Sequence, residues 1–160
     1  MIAAICIVFA SIANAQDATV PPPSQHPILT LQAIGSQVYS CQSVDGKFQW
    51  AFIAPVARLF DNSGNEVATH GEGPIWTYQD SSSIQGVVQK KSSPDASSIP
   101  WLLLKAVSPS GSGTMTRVEF IRRSDTHGGI APTTGCDAQH LNAVSRVPYT
   151  ATYTFYSAKP

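Results

Sequence analysis

The sequence predicts an all-β fold, a single-domain antiparallel sandwich or barrel of about 8–10 strands with little or no helix beyond the N-terminal segment. Short alternating or apolar runs follow one another along the chain and are separated by turn residues. Charged residues make up only 12% of the chain, about half the usual ~25%, which favours turns and short strands over surface helices. Apolar residues at the helical spacing i, i+3, i+4 never persist over three turns.

The first fifteen residues are an uncharged apolar run that ends in Ala13-Asn14-Ala15, a small-x-small pattern that signal peptidase accepts. The run is too short for a membrane span, which needs about 20 apolar residues. We therefore expect a secretory signal peptide at 1–15, a Pro-rich arm at 16–27 and one β domain at 28–160. The mature protein would be secreted, or periplasmic in a bacterium.

The first half of the domain contains three hairpin signals. Two alternating runs, ILTLQAIG and SQVYSCQS, precede Asp45-Gly46, which predicts a tight turn into KFQWAFIAP. NSGN predicts a turn between ARLFD and EVATH, and Ser81-Ser82 predicts one between PIWTYQD and SIQGVVQKK. Gly86 lies inside the last of these runs, where it predicts a β-bulge.

The second half predicts three further strands. WLLLKAVS is apolar enough to be buried on both faces, and PSGSGT ends it. MTRVEFIRR alternates from Met115 to Arg123, and a Gly/Pro/Thr-rich loop is expected from Ser124 to Gly135. CDAQHLNAVSR predicts a short helical turn, and VPYTATYTFYSA predicts the terminal strand.

Two cysteines remain after the expected signal peptide, which contains Cys6. In an exported protein Cys41 and Cys136 are most simply interpreted as a disulfide that closes a loop of 95 residues. Two separate buried thiols are the alternative.

Several ordered motifs resemble a known family. GSQVYSC, HGEGPIW, DSSSIQG, IPWLLLKA, RVEFIRR and VPYTATYTFY together resemble a family of small secreted proteins from fungi and bacteria, the domain of unknown function 3455. The resemblance runs from Gly35 to Tyr156. The family has an Asp-Gly-Ser turn where this chain has Asp80-Ser81-Ser82. The resemblance implies a secreted β domain and supplies no established catalytic residues, although some members are labelled malate dehydrogenase.

Dehydrogenase chemistry does not fit the sequence. Gly111-x-Gly113 is followed by Thr116 in place of the third glycine and by a strand-like run in place of a helix. The Gly-x-Ser-x-Gly elbow of serine hydrolases is also missing. Ten acidic residues balance ten basic ones, so the sequence has no electrostatic footprint for nucleic acid or an anionic membrane. We expect no cofactor and no enzyme of the Rossmann type.

The candidate functional residues concentrate between Thr69 and Val88. His70 and Glu72 are two residues apart, which places them on one face of a strand where they could act together. A metal site would need a third ligand that no spacing demands, so His70 is more simply interpreted as bonding a turn, and we predict no metal. Trp76 follows GEGP, where an open backbone could expose its ring for stacking on a ligand.

Asp80, Lys105 and Arg122 complete the set of candidate ligand-binding residues. Lys105 and Arg122 each end an apolar run, where a basic side chain usually reaches water with its stem packed. In a second interpretation either of them pairs with Asp80 or Glu72 at the mouth of a barrel.

Three functional hypotheses follow. The preferred one is non-catalytic binding of an extracellular glycan, a small molecule or a surface partner. The alternative is a metal-assisted or acid/base enzyme centred on His70, Glu72 and Asp80. The third is a structural surface protein without a pocket. The sequence does not predict the oligomeric state.

Overall fold

The computed structural model describes residues 17–159, which form a closed barrel of eight antiparallel strands in chain order. This confirms the predicted all-β fold. The strands are β1 (Gln25–Val44), β2 (Lys47–Phe60), β3 (Glu66–Gly71), β4 (Ile75–Tyr78), β5 (Ser83–Ser92), β6 (Trp101–Ser110), β7 (Phe120–Gly128) and β8 (Val144–Ala158). The predicted signal peptide, 1–15, lies outside the described residues. β1 begins within the predicted arm, 16–27.

The first and last strands close the barrel. β1, a strand of twenty residues, pairs with β2 along one edge and with β8 along the other, so both of its edges are hydrogen-bonded. The two runs predicted as separate strands are therefore one strand. Gly35 lies at their junction, where an added Cβ would be 2.2 Å from the Val56 carbonyl oxygen and 2.5 Å from Ala57 Cβ. The glycine thus allows close approach of β2 and does not interrupt the strand.

The predicted hairpin turns are confirmed. Asp45 and Gly46 join β1 to β2 with φ angles of 50° and 75°, the paired positive values that a two-residue hairpin with native twist requires. Gly64 lies in the β2–β3 turn with φ 81°, and Ser81 lies in the β4–β5 turn with φ 65°.

Gly86 was predicted as a bulge, and this prediction is wrong. The register irregularities of β5 lie on either side of it, between Ser83 and Gln85 and between Val88 and Lys90. A Cβ on Gly86 would lie 2.9 Å from Leu104 Cδ2 and 3.0 Å from Trp76 Cζ3. Position 86 therefore has little room for a Cβ, because the side chains of Leu104 and Trp76 pack against it.

One end of the barrel is filled by a segment that we call the plug, the 3₁₀ helix Thr114–Arg117 together with Val118. Met115 is fully buried there. The strand predicted from Met115 therefore begins only at Phe120, and β7 continues to Gly128, into the predicted loop. The core around the plug includes Leu31, Leu59, Val67, Ile84, Ile121 and Phe155.

The disulfide between Cys41 and Cys136 is confirmed and spans 95 residues of sequence. It ties the β7–β8 connection to β1, and two backbone hydrogen bonds reinforce the contact: the Cys41 amide donates to the Ala143 carbonyl, and the Asn142 amide donates to the Cys41 carbonyl. The predicted helical turn follows the second cysteine as the 3₁₀ helix Ala138–His140. Within residues 17–159, no helix has the length and apolarity that crossing a bilayer requires.

The disulfide is expected to contribute substantially to stability. Replacing both Cys41 and Cys136 by Ser removes the constraint on the unfolded chain, so the free energy of unfolding is expected to fall by about 2–5 kcal/mol. Urea unfolding followed by circular dichroism measures this, with the reduced wild-type protein as the matched control. An unchanged unfolding midpoint in both samples would contradict the prediction.

Candidate binding site in the barrel interior

A cavity of about 760 Å³ occupies the half of the barrel away from the plug. It opens at the end that carries the β3–β4 and β5–β6 connections, because Glu72, Gly73, Pro74, Ile99 and Pro100 from those connections line it. Further lining comes from side chains of seven strands: Gln37, Tyr39, Pro55, His70, Trp76, Leu102, Leu104, Arg123 and Tyr153.

Three aromatic rings form the floor of the cavity. His70 and Trp76 face each other across the β3–β4 pair and stack with centroids 4.1 Å apart and planes 5° from parallel. Tyr153 meets both rings edge-on, at 5.2 Å from His70 and 5.4 Å from Trp76. All three side chains are buried, so they form a rigid boundary between the cavity and the packed core.

The imidazole of His70 is neutral and has a defined tautomer. Its Nδ1 lies 2.9 Å from the carbonyl oxygen of Ile75, which can only accept, so Nδ1 carries the proton and Nε2 has the free lone pair. The pKa of His70 is lowered to about 4. Burial is the main cause and the charge of Arg123 adds to it, while the hydrogen bond to Ile75 opposes both.

Two buried hydrogen-bond donors, on residues that line the cavity, have no partner among the described residues. They are Nε2 of the Gln37 amide and Nε1 of the Trp76 indole. Gln37 is 3% exposed and Trp76 is 1% exposed. A buried donor without an acceptor is destabilising, and native proteins rarely keep one without a reason.

Arg123 contributes a cationic side chain to the cavity wall. Its Nε and Nη2 donate to the carbonyl oxygen of Pro100 at 3.0 and 2.8 Å, and no carboxylate of residues 17–159 pairs with it. Its positive charge acts to lower the pKa values of Tyr39, His70 and Tyr149. Burial has the larger effect at all three: it raises the pKa of the two tyrosines and lowers that of His70.

The tyrosine hydroxyls of this region are partly satisfied. Tyr39 donates to the carbonyl oxygen of Gly129 at 2.6 Å. The hydroxyls of Tyr149 and Tyr153 lie 3.5 Å apart, where either could donate. Burial raises the pKa of Tyr149, and the neighbouring Tyr153 raises it further, so the hydroxyl stays protonated.

The mouth of the cavity is mostly apolar. Phe52, Ile53 and Val88 line it and are 53%, 46% and 52% exposed. Lys91 and Glu72 are exposed at the same end. The cavity therefore combines an apolar entrance, flanked by Lys91 and Glu72, with a wall that carries Arg123 beside Pro100.

The predicted site residues divide between the cavity and other places. His70 and Glu72 both line the cavity, as their shared strand face suggested, although no hydrogen bond joins them among those described. Trp76 also lines it, on the buried floor and not on an exposed surface. Asp80, Lys105 and Arg122 are not among the lining residues.

Asp80 anchors the plug at the opposite end of the barrel. Its carboxylate accepts from the hydroxyl and amide of Ser82 at 2.5 and 2.9 Å, and from the amide of Thr114 at 2.8 Å. The Ser82 hydroxyl and these amides hold the pKa of Asp80 well below its usual range. Gly113 passes so close that a Cβ there would lie 2.4 Å from Asp80 Oδ2.

Lys105 and Arg122 lie on the outer surface and pair with carboxylates other than Asp80 and Glu72, so the second interpretation of these bases is wrong. Arg122 Nη2 donates to Asp17 at 2.5 Å and its Nε to the Thr19 hydroxyl at 3.3 Å. Lys105 lies 3.9 Å from Glu119 and 4.4 Å from the ring centre of Phe120.

Sequence reasoning did not select Gln37 or Arg123. Arg123 shares a strand face with Ile121, which is fully buried, but the alternation in RVEFIRR does not show which of Arg122 and Arg123 faces inward. Nothing in the sequence around Gln37 distinguishes an inward amide from an outward one. Among residues 17–159, no three His, Cys, Asp or Glu side chains are placed to hold a metal ion.

The fold and the cavity define a closed up-and-down β-barrel with a hollow, partly polar interior. The family model described as "Protein of unknown function (DUF3455)" matches residues 21–157. The chain therefore belongs to this family, as the sequence motifs indicated. The comparison with curated proteins and the comparison with solved structures each found no match.

The buried His70 is expected to make stability depend on pH. The unfolded chain binds a proton at this residue near pH 6.5 and the folded chain only near pH 4. The free energy of unfolding therefore falls as the pH is lowered through that window, by a contribution on the order of 3 kcal/mol.

Urea unfolding at pH 7 and pH 4 measures this contribution as the difference between the wild type and His70→Asn, which keeps a side-chain donor but does not titrate. His127→Asn, at an exposed histidine, is the matched control and should retain the wild-type pH dependence. If the free energy of unfolding fell equally between pH 7 and pH 4 in His70→Asn and in the wild type, the assignment of this pH dependence to His70 would be contradicted.

Proposed function

We propose that the protein binds a small, predominantly apolar molecule inside the barrel, without catalysing a reaction. The observation that carries this proposal is the cavity of about 760 Å³ with its exposed apolar mouth. Ligand pockets in proteins commonly have volumes of about 300–1,000 Å³ and mainly hydrophobic walls with a few polar groups. Barrels of eight strands are just wide enough either to be filled by side chains or to hold one small ligand.

The exposed mouth residues support a passage between solvent and interior. Phe52, Ile53 and Val88 leave apolar surface in water, an arrangement that often marks a binding surface. An apolar molecule that moves past them into the cavity would bury this surface together with its own, and burial of that kind is the dominant favourable contribution to association.

The other functional hypotheses receive less support. Stacking of a glycan on Trp76 needs an exposed ring, but the indole is 1% exposed. An acid/base centre built on His70, Glu72 and Asp80 needs the three groups together, but Asp80 lies at the plug end, where Ser82 and Thr114 occupy its carboxylate. A structural protein without a pocket does not account for the cavity.

We further propose that the protein acts outside the cytoplasm. The signal-like run at 1–15 and the disulfide between Cys41 and Cys136 support this location, because disulfides persist mainly in oxidising compartments. The ligand would then be a molecule met outside the cell or in the periplasm.

A pair of variants at adjacent residues tests the binding site. Val88 lines the cavity mouth, whereas Val87 is similarly exposed, at 48%, but does not line it. N-phenyl-1-naphthylamine, an uncharged apolar fluorophore, is expected to bind the wild type at one saturable site. Val88→Trp fills the mouth and is expected to weaken binding by about tenfold or more, a change of at least ~1.4 kcal/mol.

Val87→Trp adds the same side chain outside the cavity and is expected to bind the probe like the wild type. Fluorescence titration measures all three dissociation constants. No saturable binding to the wild type, or equal weakening by both variants, would contradict the proposed function.

A further inference from the structure

We propose that the molecule bound in the barrel carries a carboxylate, held in the cavity wall by Arg123, Gln37 and Trp76, with its apolar part directed to Phe52, Ile53 and Val88. This inference rests on the proposed function and adds the chemical class of the ligand. The class is an amphipathic monocarboxylic acid. The observations that carry it are the charge and the hydrogen-bond character of three residues that line the cavity.

The first observation is the missing counter-ion of Arg123. Both of its hydrogen bonds in the described residues go to a single neutral carbonyl, that of Pro100. Glu72, the carboxylate that lines the same cavity, is exposed in the β3–β4 connection and does not pair with it. Its neighbour Arg122, on the outer face, does pair with a carboxylate, that of Asp17. Arg123 is only partly exposed and has no anionic partner among the described residues, and a bound carboxylate would supply that charge.

The second observation is independent of charge. Gln37 Nε2 and Trp76 Nε1 belong to residues that line the same cavity, are themselves shielded from solvent and lack acceptors among residues 17–159. An indole nitrogen can only donate, and so can the amide nitrogen of glutamine. The opposite edge of the Trp76 indole, at Cζ3, packs against Gly86, so the donor edge is the one turned away from the β5 backbone.

Together the three groups select the chemistry of the ligand. A carboxylate offers two oxygens that accept several hydrogen bonds and carry the charge that Arg123 lacks. An alcohol could satisfy one donor without the charge. An ammonium would present donors to donors and would repel Arg123. The aromatic floor and the apolar mouth restrict the rest of the molecule to an alkyl or aryl body.

Three ten-carbon probes that differ only in their polar end test the inference. Decanoate, 1-decanol and decylammonium are titrated into the purified protein at pH 7, and isothermal calorimetry gives their dissociation constants. Decanoate is expected to bind about tenfold or more tightly than 1-decanol, the range typical of a hydrogen bond to a charged group. Decylammonium is expected to bind most weakly.

Variants assign the preference to the residues. Arg123→Met is expected to abolish the preference for decanoate over 1-decanol, measured as the ratio of the two dissociation constants in the same variant. Arg122→Met, one residue away on the outer surface, is the matched control and is expected to keep the full preference. Trp76→Phe removes the indole donor and keeps a ring, and is expected to lose part of the preference. Circular dichroism checks that each variant is folded.

The outcomes separate this inference from the proposed function. Equal affinities for decanoate and 1-decanol in the wild type would overturn the carboxylate assignment and leave interior binding supported, and this comparison requires no variant. A preference that survives in folded Arg123→Met would also overturn it. Failure of all three probes to bind would contradict the proposed function and, with it, this inference.

Discussion

The pairing of β1 with β8 is the contact on which the rest of the structure depends. An antiparallel meander of eight strands has two free edges, and these edges meet here along most of both strands. Closure satisfies the backbone groups of both edges and converts one face of the sheet into an interior. The disulfide at Cys41 ties the β7–β8 connection to the same strand. Without this closure the molecule would have a hydrophobic face but no enclosed space.

The interior that closure creates is filled at one end and hollow at the other. The plug, held by Asp80 and Ser82, brings Met115 into the core and seals the lower end. Above it, Trp76 and His70 lie flat against each other and separate the packed half from the cavity. The cavity therefore begins where the packed large side chains end, and its floor consists of side chains that can hydrogen-bond as well as pack.

Much of the fold could be predicted from the sequence because its signals are local. A turn such as Asp45-Gly46 is specified by its own φ angles, and only Cys41 and Cys136 remain to pair if the predicted signal peptide, which contains Cys6, is removed. The site is less predictable. Alternation shows that Arg122 and Arg123 face opposite ways but not which one faces inward, since that depends on where β7 begins after the plug. Nor does periodicity reveal whether an inward face is packed or left hollow, because that depends on residues from many strands.

Binding inside the barrel can be tested most directly by locating a ligand within it. A crystal of the protein grown with 10-bromodecanoate would give an anomalous signal from the bromine. The proposed orientation predicts one bromine peak near Phe52, Ile53 and Val88 at the mouth, with the carboxylate within hydrogen-bonding distance of Arg123. A bromine bound only on the outer surface, or a carboxylate at the mouth with the bromine against Trp76, would contradict it.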